Sequence, residues 1–207
     1  MADARPTVFV VDDDASVRDA IGNLLESVGL RTRMFPSAEE FWRASRPDVP
    51  SCLILDVRLT GASGLDFQDQ LRKLNVSIPI VFITAHGDVP MTSRAMKAGA
   101  IEFLMKPFQK EELLAAVRHG LERDRIERAE RAEVAVLESR AAQLTQRERE
   151  VMDLVVTGLI NKEIGSQLGL SEVTVKIHRS RVMQKMEASS LAELVRMYDK
   201  IKAQARG

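Results

Sequence analysis

The chain has 207 residues, enough for one large domain or two small ones, and its 45% hydrophobic and 29% charged residues suit a soluble globular protein. No apolar run approaches the roughly 18 residues that a membrane span needs, and a single cysteine, Cys52, excludes an internal disulfide. The balance of 30 basic and 30 acidic residues hides an asymmetry. Residues 1–122 carry 14 Lys and Arg against 17 Asp and Glu, whereas residues 145–207 carry 11 against 8. An acidic front and a basic tail point to two modules with different partners, the basic one suited to a polyanion. The N-terminal stretch MADARPTVFVV lacks the basic start, apolar core and small-residue cleavage site of a secretory signal, so a reducing cytoplasm is the expected location. His86, His119 and His178 lie far apart, and no Cys/His cluster has zinc-binding spacing.

In chain order, short apolar runs predict strands at Thr7–Val11, Arg31–Phe35, Cys52–Leu55, Ile80–Ile83 and Ile101–Met105. Between them lie helical spacings: Val17, Ile21, Leu24, Leu25 and Val28 up to Gly29; Leu65, Phe67, Leu71 and Leu74; Met91, Ala95 and Met96 up to Gly99; and Leu113, Leu114, Val117 and Leu121. Strands alternating with helices predict an α/β fold, a doubly wound five-stranded parallel sheet covered on both faces. Residues 122–143 contain no Gly or Pro and alternate in charge, which predicts a solvated helix continuing from the previous one. From Leu144 the patterns are helical only. Thr145 with Glu148, and Ser190 with Glu193, read as capping boxes; Asn161 and Ser171 read as caps, and Gly169 as a stop. Four short helices make an all-α bundle of the kind that carries a helix-turn-helix. The predicted domains are therefore 1–122, a helical linker 123–143, and 144–207.

The stretch VFVVDDDAS drives four apolar residues into three adjacent carboxylates. In a doubly wound sheet, ligands bind beyond the carboxyl ends of the strands. There the first strand delivers Asp12 and Asp13, the third Asp56, the fourth Thr84 and the fifth Lys106. Asp14 reads as the N-cap of the first helix. Oxygen donors of this kind suit Mg²⁺ or Mn²⁺ and a phosphoryl group, and an aspartate can take phosphorus as a nucleophile.

Residues 5–122 resemble the receiver domain of two-component response regulators through four motifs in order: VVDD, LILDVRLTGASG, VFITAHGD and KAGAIEFLMKPF. The resemblance implies Asp56 as phosphoacceptor. It implies a Mg²⁺ held by Asp13, Asp56 and the Arg58 backbone carbonyl, with Asp12 assisting. It implies Thr84 and Lys106 on the phosphoryl group, a cis Lys106–Pro107 bond, and Phe103 as the aromatic switch residue that follows Thr84. Leu59-Thr60-Gly61 replaces the family's frequent Met-Pro-Gly, and Phe103 its commoner tyrosine. Two other readings compete. DDDAS also resembles the D-x-D of haloacid-dehalogenase-type phosphatases, with Asp12 as nucleophile and Asp14 as acid, but this leaves Asp56 and the helical tail unused. A pseudo-receiver acting by partner binding alone would not need the Asp13, Asp56, Thr84 and Lys106 set.

Residues 144–200 resemble the DNA-binding domain of the LuxR/FixJ type through LTQRE, NKEIG and SEVTVKIH, and the whole chain resembles the FixJ branch. On helix 171–186, Val175, Val182 and Met186 form a packing stripe. Thr174, Lys176, Ile177, Arg181 and Lys185 lie away from it, a basic face suited to the major groove. Val151, Leu154, Val155, Ile164, Leu168, Leu191 and Leu194 read as core. The resemblance implies Lys176, Ile177 and Ser180 at base edges and Thr174, His178 and Arg179 nearer the backbone; Lys185 is expected to meet phosphates. It also implies a sensor histidine kinase, promoter DNA and the transcription machinery as partners, with homodimerisation on phosphorylation.

Overall fold

The computed structural model describes residues 5–204; the start of the MADARP stretch lies outside them. The chain divides into two compact units between Arg128 and Ala129.

The first unit is built on five strands, β1 (Thr7–Val11), β2 (Arg31–Phe35), β3 (Ser51–Asp56), β6 (Ile80–Thr84) and β7 (Glu102–Met105). They form one parallel sheet in the order β2-β1-β3-β6-β7. Helices α1 (Ala15–Ser27), α2 (Ala38–Arg43), α3 (Gly64–Lys73), α4 (Val89–Lys97) and α5 (Lys110–Ala142) follow the strands, and a two-stranded hairpin, β4 (Arg58–Leu59) with β5 (Ala62–Ser63), follows β3.

Continuous apolar strands make sense here because both faces are covered. Alternate residues of β1 enter different cores: Phe9 and Val11 join Phe35, Phe41, Leu53, Leu55, Phe67 and Phe82 on one side. Val8 and Val10 join Ile21, Leu25, Cys52, Ile54, Val81 and Leu113 on the other. In the first core Phe41 meets Phe9, Phe35 and Phe67 edge-on, with ring centroids 5.4, 5.6 and 5.8 Å away. Such pairs add about 0.5–1.5 kcal/mol each beyond area burial. In the second core Cys52 is fully buried, and burial pushes its thiol up to about 12. Gly120 of α5 lies against it: a Cβ on Gly120 would stand 2.6 Å from the Cys52 sulfur.

The second unit packs the end of α5 with α6 (Gln146–Val155), α7 (Asn161–Leu168), α8 (Glu172–Met186) and α9 (Leu191–Gln204). Val151, Val155, Ile164, Val175, Val182, Met186 and Leu194 form its core, and Leu154 and Leu168 pack at its edge. Leu191 departs from the expectation: at the first position of α9 it is 36% exposed.

The Thr145–Glu148 capping box forms in full. Ser171 caps α8, accepting from the Thr174 amide at 3.1 Å. Gly169 closes α7 in the left-handed region (φ 66°). Asn161 is not the cap of α7 but its first residue. Glu163 reaches back to the Ile160 amide instead (3.0 Å), so only half a capping box is made, since isoleucine offers no acceptor. In α9 Ser190 caps the Glu193 amide (3.2 Å), while the Glu193 carboxylate accepts from the Ser189 amide at 2.8 Å.

Candidate functional site: a strand-end carboxylate pocket and a helix-turn-helix

Parallel register aligns the strand ends. Val11 stands beside Leu55, Asp56 beside Ile83, and Thr84 beside Met105. The residues that emerge on that edge are Asp12 and Asp13 after β1, Asp56 ending β3, Thr84 ending β6, and Lys106 after β7. The Lys106 ammonium donates to Asp12 Oδ2 and to Asp56 Oδ2, both at 2.6 Å. Asp12 Oδ1 accepts the Asp14 amide at 2.9 Å, and Asp56 Oδ1 accepts the Arg58 amide at 2.8 Å. Asp12 is fully buried. Burial raises its pKa, with the Lys106 ammonium pulling the other way. Burial works against the Lys106 charge too, but its bonds to Asp12 and Asp56 outweigh that and raise its pKa. A buried ion pair of this kind is costly to break from one side only, because the remaining charge is left without a partner.

Asp13 is exposed and turned toward the hairpin. Its Oδ2 accepts from the Thr60 amide at 3.0 Å and from the Thr60 hydroxyl. Among the described residues, no three His, Cys, Asp or Glu side chains gather closely enough to hold a metal ion as they stand. The Asp14 carboxylate instead caps α1, accepting from the Ser16 and Val17 amides.

Thr84 is buried, its hydroxyl in 3.3 Å contact with the His86 amide and carbonyl. Phe103 is half-buried against the first core, with its ring centroid 6.2 Å from that of Phe82. Gly87 lies between Thr84 and Phe103. A Cβ there would sit 2.9 Å from the Phe103 ring and 3.4 Å from the Thr84 methyl, so any side chain would push the ring. Lys106–Pro107 is cis, as expected. Sequence reasoning missed Thr60 and Gly87. The first had a signal in the missing proline; the second had only its place in VFITAHGD.

In the second unit, α7 and α8 are joined by Gly169, Leu170 and Ser171, the short glycine-containing turn of a helix-turn-helix. Val175, Val182 and Met186 of α8 are buried, which turns Lys176, Ile177, Ser180 and Arg181 to solvent. Val173, one turn before Ile177 and 69% exposed, extends that face and was not expected there. Thr174 is half-buried against Ser171, and Arg179 donates to Asn161 Oδ1 of α7 at 3.1 Å. His178 is half-buried, its Nδ1 shielded with no hydrogen-bond partner among the described residues.

Lys185, expected from the sequence to meet phosphates, has partners within the unit. Its ammonium turns inward, donating to the Glu148 carboxylate at 2.6 Å and to the Gln143 carbonyl at 3.1 Å. Glu148 is 2% exposed, and its hydrogen bond from Lys185 outweighs burial and lowers its pKa to about 2. Helical periodicity put Lys185 off the packing stripe; the neighbouring helix α6 supplied a partner that periodicity cannot show.

A strand-end carboxylate pocket in one unit and a helix-turn-helix in the other define a two-module regulator. Residues 8–118 match the response regulator receiver domain, and residues 142–198 match the luxR family of bacterial regulatory proteins. Nodulation protein W of Bradyrhizobium diazoefficiens is 55% identical over 196 residues, which cover 95% of this chain and 86% of that protein. Transcriptional regulatory protein FixJ of Azorhizobium caulinodans is 43% identical over 190 residues, 92% of this chain and 90% of that one. Among solved structures, the response regulator StyR superposes with a TM-score of 0.83 at 51% identity, over 95% of this chain and all of that one. The chain belongs to the response regulators that join a receiver domain to a luxR-type DNA-binding domain, a family of transcription regulators. Receiver domains of this family generally bind Mg²⁺ at the acidic pocket. Among the described residues no helix is long and apolar enough to cross a membrane.

Proposed function

We propose that this chain is a cytoplasmic response regulator that takes a phosphoryl group from a sensor histidine kinase onto Asp56 and, so modified, binds promoter DNA. The reading assigns the receiver to residues 1–122, a helical linker to 123–143 and the DNA-binding domain to 144–207. The observation that carries it is the Lys106 ammonium held 2.6 Å from both Asp12 and Asp56 at the open end of the sheet, with Thr84 ending the neighbouring strand β6.

In the transfer, an Asp56 carboxylate oxygen attacks phosphorus and forms an O–P bond. The bond from phosphorus to the donor's imidazole nitrogen breaks, and that nitrogen keeps the electron pair and takes a proton. Lys106 then pairs with a phosphoryl oxygen, and the Thr84 hydroxyl donates to another. Phe103 re-packs as Thr84 moves.

The residues present fit a hard divalent cation. Asp12, Asp13, Asp56 and the Arg58 carbonyl are all oxygen donors, and the Lys106 ammonium meets only Asp12 and Asp56, so one positive charge answers two carboxylates with Asp13 a third nearby in sequence. Mg²⁺ or Mn²⁺, when bound, would neutralise charge on the phosphoryl oxygens.

On the DNA side Lys176, Ile177 and Ser180 take base edges, with Thr174, His178 and Arg179 nearer the backbone. The exposure of the first three, with Val175, Val182 and Met186 buried behind them, supports that division. The phosphorylated receivers pair as a homodimer that presents two DNA-binding domains to two half-sites, where the transcription machinery is engaged.

The test is intact-mass measurement after incubation with acetyl phosphate and Mg²⁺. The wild type should gain one phosphoryl mass, Asp56→Asn should gain none, and excess chelator should suppress the gain. Full labelling of Asp56→Asn with loss in Asp12→Asn would reassign the acceptor and favour the phosphatase-like reading.

A further inference from the structure

The turn of the hairpin β4–β5 reaches back to the Asp13 carboxylate. Its two-residue turn is Thr60–Gly61, with Gly61 at φ 80°. One end of the hairpin is tied to Asp56 through the Arg58 amide. The turn is tied to Asp13, whose Oδ2 takes two donors from the single residue Thr60. Asp12 and Asp56 already face each other across Lys106. Of the three carboxylates proposed for the cation, Asp13 is the one that Lys106 does not meet, and a side-chain hydroxyl, that of Thr60, holds it instead.

We infer that Thr60 is a positioning residue that competes with the divalent cation for the Asp13 carboxylate, so that this receiver binds its cation more weakly than its carboxylates alone would allow. The inference rests on the cation site proposed above. A cation taken by Asp13 Oδ2 would displace the Thr60 hydroxyl and amide that this oxygen now accepts. A hydrogen bond to a charged acceptor is among the stronger kinds, and its loss enters the binding equilibrium directly. Removing only the hydroxyl should therefore tighten cation binding, roughly threefold to tenfold for one such bond made in partly exposed surroundings.

Calorimetric titration of the full chain with MgCl₂ alone tests this without any phosphoryl donor. Thr60→Val keeps the amide and the side-chain shape but loses the hydroxyl, and should bind Mg²⁺ more tightly than wild type by that factor. Thr60→Ala should behave like Thr60→Val. Thr60→Ser restores the hydroxyl and should return to the wild-type dissociation constant, which a general loosening of the turn would not do. In an Asp13→Asn background the Thr60→Val effect should vanish. Equal or weaker Mg²⁺ binding by both Thr60→Val and Thr60→Ala would overturn the competition while leaving the cation site intact. Absence of Mg²⁺ binding by every variant, wild type included, would remove the cation site itself and the inference with it.

Discussion

Replacing Glu148 by Gln should cost the DNA-binding unit most of one ion pair, and the cost should depend on pH in a defined direction. Glu148 sits in the first turn of α6 and receives Lys185 from the last turn of α8, so it ties two core helices of the unit together. Its pKa is lowered from an ordinary 4.5 to about 2, mainly by the Lys185 hydrogen bond, against burial and with help from the Thr145 amide. At about 1.36 kcal/mol per pH unit this sets a ceiling of about 3 kcal/mol. The Lys185 side chain is 32% exposed, so screening by water brings the expected effect to roughly 1–2 kcal/mol. Because the folded-state pKa is depressed, this stability is complete above about 4.5. It is lost as the pH falls toward about 2. Glutamine keeps an acceptor for the Thr145 amide, so the variant isolates the charge. Urea unfolding followed by hydrogen exchange at the amides of α6 and α8 measures the unit separately from the receiver. The Glu148→Gln deficit should be constant near neutral pH and shrink to nothing at the acid end. A deficit that persists undiminished at low pH, or none at neutral pH, would refute the ion-pair account. Lys185→Ala should destabilise the same amides at least as much, because it leaves a buried carboxylate without its partner.

Two further outcomes follow from the proposed DNA and receiver roles. Lys176→Ala should relax base preference within the half-site by roughly 1–3 kcal/mol at one position; selection from a random DNA pool checks this, and an unchanged sequence preference with uniformly weaker binding would make Lys176 a phosphate contact. Acetyl phosphate with Mg²⁺ should raise self-association, since a modification shifts an equilibrium only through a difference in free energy between states; sedimentation across a concentration series should resolve it, and identical behaviour of both forms would count against phosphorylation-driven pairing.

The sheet and its pocket were legible because a parallel strand carries its information locally. An apolar run buried on both faces announces the strand, and the next residue along marks the open edge, so Asp12, Asp56, Thr84 and Lys106 could be placed together from order alone. Contacts made through short or irregular segments were not legible. Thr60 meets Asp13 across 47 positions through a hairpin of two-residue strands, too short to leave a periodic signal. The six-residue α2, capped by Ser37, escaped for the same reason. Lys185 illustrates a different limit: periodicity says that a side chain leaves the packing stripe, but not whether another helix waits there with a carboxylate. Leu191 shows the converse, an apolar residue at a helix start where the bundle has not yet closed around it.

The burial of Cys52 gives the receiver a built-in clock. Its sulfur is sealed between a central strand and α5, and its pKa near 12 leaves almost no thiolate at neutral pH. With a single cysteine in the chain, a thiol reagent finds nothing to react with until the sheet and α5 part. Native molecules are thereby guarded against mixed disulfides and sulfenic acid, and the pace at which alkylation proceeds reports how often that core opens.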